Sequence, residues 1–115
     1  MTGKTSLDAL VRTHLEAARR SSAGRSAHTV TGGHEHTLRQ TLIALVAGRE
    51  LGEHENPGEA TVLVLHGRIR LVAGPDSWDG RRGDLLVVPP NAHRLAADED
   101  AAVLLTVAKL DHRRR

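Results

Sequence analysis

Apolar and polar positions change their period once along this chain, near residue 24. Before that point Leu7, Leu10, Val11, His14, Leu15 and Ala18 recur at helical spacing and form one stripe, while Arg12, Glu16, Arg19 and Arg20 lie mostly off it. Thr5 is the expected N-cap, with Asp8 three residues on, where a carboxylate favours the helix dipole. The small polar run Ser21 to Gly24 ends the helix. Beyond it the pattern is that of strands. Ala27–Val30 reads as a weak strand, Thr31 to Glu35 as turn material, and Leu38–Val46 as a long strand free of breakers. Ala60–Leu65 and Ile69–Val72 flank His66-Gly67-Arg68, which reads as a tight hairpin. Asp84–Val88 and Arg94–Ala96 flank Pro89-Pro90-Asn91, and Ala102–Ala108 closes the series. Short strands separated by Gly and Pro turns predict an all-β sandwich or barrel behind one amino-terminal helix.

Composition narrows this reading. The 115 residues suit one domain with one core. The divisions expected are a helix and linker over 1–25, a β domain over 26–110 and a basic tail over 111–115. One tryptophan, no tyrosine and no phenylalanine leave the core to Leu, Val, Ile and Ala. Such a core is modest for one small chain, so a homodimer formed through a sheet face is expected. The formal charge is only +2, and Arg113, Arg114 and Arg115 supply three of the cations as a solvated tail. With no basic stripe and no aromatic platforms, nucleic acid is not an expected partner. No apolar run approaches the length of a membrane span, and no signal-peptide core follows Lys4, so no membrane association and a cytoplasmic location are expected. The absence of cysteine excludes disulfides and thiolate metal sites within the chain.

Two half-motifs stand out. The first runs from Gly48 through five residues to His54, Glu55 and Asn56, then through Glu59 and Ala60 to Gly67. The second runs from Gly83 through five residues to Pro89, Pro90, Asn91 and, two residues further, His93. Over roughly Leu38 to Ala108 this ordered pair resembles the two conserved motifs of the cupins, and most closely those of small single-domain, RmlC-like members. The resemblance implies a cupin jelly-roll β-barrel. In metal-binding cupins two histidines and a glutamate of the first motif and one histidine of the second are the usual ligands. The matching positions here are His54, Asn56, Ala60 and His93, of which only two are imidazoles. The second motif is also one residue short before His93.

Two functional expectations follow from the resemblance. The first is a barrel that binds a small organic ligand in its cavity, oriented by Gln40, His54, Asn56 and His93 beside a degenerate metal site. The alternative is a metal-dependent enzyme of oxygenase or isomerase type. It would hold zinc, iron, manganese or nickel on His54 and His93, with Asn56 or Glu59 as third ligand. Glu59 would need a bulge at Pro57-Gly58 to turn inward, because neighbouring residues on a regular strand face opposite ways. Gln40 is expected to face the cavity, with Leu38, Leu42 and Ala44 sharing its parity. Trp78 is placed in a loop between strands, beside solvated Arg81 and Arg82. His34 and His36 belong to a loop and His66 to a turn. No residue pattern supplies a positioned nucleophile or paired carboxylates, so acid–base catalysis is not expected.

Overall fold

The computed structural model describes residues 3–54, 58–91 and 93–109, His54 through its backbone. The apolar stripe of the first segment folds as α1 (Leu7–Arg20), with Val11, Leu15 and Ala18 buried. Its N-cap is Ser6, one residue beyond the expected Thr5, and the Ser6 hydroxyl accepts the Ala9 N–H at 3.2 Å. Asp8 in the first turn and Arg19 and Arg20 in the last complement the helix dipole.

Nine strands follow among the described residues, paired antiparallel in two sheets. One contains β1 (Arg25–Thr31), β2 (Leu38–Leu45), β9 (Ala101–Lys109), β4 (Gly58–His66) and β7 (Leu85–Val87), side by side in that order. The other contains β3 (Glu50–His54), β8 (His93–Ala97), β5 (Arg68–Ala73) and β6 (Asp76–Arg81). The arrangement is a double-sheet jelly roll.

Residues 66–68 do not form the expected hairpin. β4 lies in one sheet and β5 in the other, so His66-Gly67-Arg68 is a corner where the chain changes sheet. Gly67 sits there at φ +74°, and a Cβ at this position would run into the carbonyl oxygen of Asp100. Only glycine satisfies both the dihedral and the approach. Pro89 to Asn91 likewise carry the chain from β7 to β8, across sheets. Two strands escaped the sequence pattern. β3 has the single aliphatic residue Leu51, and β6 (DSWDGR) is too polar to read as a strand. Trp78 accordingly lies on β6, in register with Leu71 of β5, and not in a loop.

Between the sheets lies one aliphatic core that includes Ile43, Leu45, Val62, Val64, Ile69, Leu71, Leu95 and Val103. A second cluster lies outside the five-stranded sheet, where Val11, Leu15 and Ala18 of α1 cover Leu42, Ala44 and Ala102. Both faces of β2 are therefore buried at this end. Asp100, in the β8–β9 connection, fastens the helix: one carboxylate oxygen accepts the Arg19 Nε–H at 2.8 Å and the other the Ala47 N–H at 2.8 Å.

Candidate functional site

The two motifs meet at one end of the four-stranded sheet. β3 ends and β8 begins there, and the backbone register places His54 directly opposite His93, with an irregularity between Leu51 and His54. The His93 side chain is only 6% exposed and is the one buried polar side chain among the described residues. Its Nδ1 lies 3.2 Å from the carbonyl oxygen of Asn91. A carbonyl only accepts, so in this contact Nδ1 carries a proton.

The surroundings of the imidazole are aliphatic. Ile43, Leu51, Val62, Leu71, Val88 and Leu105 line the space beside it, and about 20 Å³ remains open. That is room for roughly one water molecule. The interior is thus mainly a packed core, because β2, β4 and β9 all direct branched aliphatics into it.

The other expected site residues go elsewhere. Ala60 faces the interior and is 7% exposed. The β4–β9 register runs without a shift from Gly58 to Val64, so no bulge turns Glu59 inward; it is exposed on the outer face opposite Ala108. Gln40 does not face the cavity. Ile43 and Leu45 are the β2 residues in the inner core, and Gln40 shares the outer parity of Leu42 and Ala44. There its Nε2 donates to Thr106 Oγ1 at 3.2 Å. The parity was unreadable in the sequence because α1 gives the outer positions an apolar cover of their own. Asn56 lies outside the described residues, as does the tail 111–115. With alanine at the glutamate position and Glu59 turned outward, β4 supplies no third ligand beside the two imidazole positions. No cluster of three or more His, Asp or Glu side chains suited to a metal occurs among the described residues.

Several features had no signal in the sequence. Asp100 is one, because its partners Ala47 and Arg19 are remote in the chain. The Ala47 N–H and then the Arg19 guanidinium hold its carboxyl below the ordinary 3.8. His14 is another: its Nδ1 lies 2.7 Å from Ser26 Oγ, and its ring stacks on His28 at 5.4 Å. His34 and His36 are exposed between β1 and β2, and His66, expected in a turn, is the exposed last residue of β4. Trp78 is 44% exposed and borders an open groove of about 450 Å³ between β6 and β7.

A two-sheet jelly roll with motif glycines at the strand connections and His54 in register with His93 is the architecture of the small RmlC-like cupins, and the chain has that fold. Solved structures agree. An RmlC-like cupin protein from Desulfovibrio desulfuricans is 28% identical, with 73% of this chain and 81% of that one covered and a TM-score of 0.64. A conserved protein of unknown function from Streptococcus pyogenes is 27% identical over 79% of each chain, with a TM-score of 0.70. A salicylate 1,2-dioxygenase from Pseudaminobacter salicylatoxidans, 19% identical, shares the fold with a TM-score of 0.73; the match covers 87% of this chain and 33% of the dioxygenase. No protein-family model and no curated protein matches the chain. No helix among the described residues is long and apolar enough to cross a membrane.

Proposed function

We propose that this cupin is a metal-free binding protein, acting as a homodimer, that recognises a small organic molecule through His93 with His54 beside it. The observation that carries the reading is the buried imidazole of His93 in an otherwise aliphatic interior. A pocket with apolar walls and few polar groups is the usual form of a small-molecule site. An imidazole hydrogen-bonds through its ring nitrogens, so the matching ligand group is a small hydroxyl or amine. The space beside the ring takes about one water-sized group. A ligand that fits without rearrangement thus presents a single terminal hydroxyl or amine to His93 and keeps its apolar body toward the mouth. Ala60 and the outward Glu59 weigh against the alternative of a metal enzyme on His54 and His93.

The test pairs two measurements on untagged protein purified without chelators or immobilised nickel. Elemental analysis of wild type and His54→Ala/His93→Ala should give metal well below one ion per chain in both. Imidazole NMR signals during titration with small alcohols and amines should move for His93, and His93→Ala should remove the binding. One zinc, iron, manganese or nickel per chain, lost in the double variant, would overturn the reading in favour of the metal enzyme.

A further inference from the structure

The space beside His93 has an uneven wall. Of the aliphatic side chains that line it, Ile43, Val62, Leu71, Val88, Leu95 and Val103 are buried, whereas Leu51 and Leu105 are only half-buried. Among the described residues that line this space, these two alone also meet solvent. Both face inward. Leu51 is in register with Leu95 of β8 and Leu105 with Val62 of β4, and each of those partners lines the same space. The two leucines stand on opposite walls, Leu51 in the four-stranded sheet and Leu105 in the five-stranded one.

We infer, resting on the small-molecule reading above, that Leu51 and Leu105 are the two leaves of a door between solvent and His93 and set the size of the group that reaches the imidazole. The leaves are held differently. β9 lies between β2 and β4 and keeps its register with both on either side of Leu105, so that leaf is a fixed stop. β3 is the last strand of its sheet, paired only with β8, and its register shifts between Leu51 and His54. An edge strand beside an irregularity yields more readily than a strand paired on both sides, so Leu51 is the leaf that moves.

The size limit follows from the same two side chains. With both in place the space beside the ring is about 20 Å³, which admits a terminal hydroxyl or amine and no branched group next to it. Replacing either leucine by alanine turns an isobutyl group into a methyl at a position already open to solvent, so the entrance itself widens. Leu71→Ala deletes the same atoms from the same space, but Leu71 is 1% exposed and lies behind the door. That change enlarges the interior and leaves the entrance as it was. The contrast between the two deletions separates a door from a wall.

Carbethoxylation of imidazoles by diethyl pyrocarbonate, mapped residue by residue by mass spectrometry, tests the door without any ligand. In wild type His93 should react at least about tenfold more slowly than the exposed His34 and His36. Leu51→Ala and Leu105→Ala should each speed its reaction roughly fivefold or more, with an unchanged far-ultraviolet spectrum. Leu71→Ala and the milder Val103→Ala, both behind the door, should leave the rate where it was. Leu51→Val and Leu105→Val, one methylene shorter, should show a smaller increase and serve where an alanine variant does not fold. Titration then reads the size limit: branched alcohols and amines that leave the His93 NMR signals of wild type unmoved should shift them in Leu51→Ala and Leu105→Ala. Wild-type His93 labelled as fast as His34, or equal acceleration by the door variants and Leu71→Ala, would overturn the door. Faster labelling in the door variants alone, with no alcohol or amine moving His93 in any protein, would uphold the door and overturn the small-molecule reading.

Discussion

Asp100→Ala should loosen the seat of α1 by removing two contacts at once. The carboxylate joins three segments remote in sequence: the last turn of the helix through Arg19, the β2–β3 connection through Ala47, and its own β8–β9 connection. The Arg19 arm is partly open, with side chains 52% and 33% exposed, and solvent screening holds it to about 0.3–1 kcal/mol. The Ala47 N–H bond, charge-assisted at 2.8 Å, contributes about 1 kcal/mol. Asp100→Ala should therefore cost about 1–2 kcal/mol, or roughly 4–10 °C in melting temperature for a domain of this size. Asp100→Asn keeps an acceptor for Ala47 and loses the charge, so its cost should be about half of that. The pH dependence is a sharper check. The folded carboxyl titrates below its ordinary 3.8, which means that its contribution is complete above the unfolded value and is lost as pH falls through the folded one. The gap between wild type and Asp100→Asn in urea unfolding followed by circular dichroism should be constant from neutral pH down to about pH 5 and close as the pH falls further. A gap that persists undiminished at low pH, or the absence of any gap at neutral pH, would refute the reasoning.

Three further outcomes follow from the fold. Gly67→Ala places a Cβ against the Asp100 carbonyl at a left-handed residue and should destabilise by at least about 2 kcal/mol in denaturant unfolding; a change under half of that would mean the corner relaxes freely. Leu71→Ala empties a site that is 1% exposed between the sheets and should cost about 2–5 kcal/mol in calorimetry. Ser6→Ala removes the acceptor for the Ala9 N–H and should cost about 0.5–2 kcal/mol, while the adjacent Thr5→Ala should be nearly silent if Ser6 is the cap.

By itself the sequence determined the class of fold, because that information is local and periodic. Helical spacing from Leu7 to Ala18 and runs of β-branched and aliphatic residues bounded by Gly and Pro state element type directly. The two motifs locate His54 and His93, and the register of β3 with β8 brings their backbones together. Tertiary structure alone decided which way residues face. On β2 the alternation carries apolar side chains on both faces, since α1 covers one and the inner core the other, so Gln40 could not be placed from its neighbours. Sheet membership was equally hidden. Gly67 is compatible with a hairpin and with a corner, and the choice rests on Asp100, which lies far along the chain. The polar strand β6 exists because β5 offers it a partner edge, and nothing local demands it. The size of the cavity beside His93 is likewise collective, set by how aliphatics from several strands of both sheets fill one space. Local periodicity determines which elements form; what they enclose depends on contacts between residues that are distant in sequence.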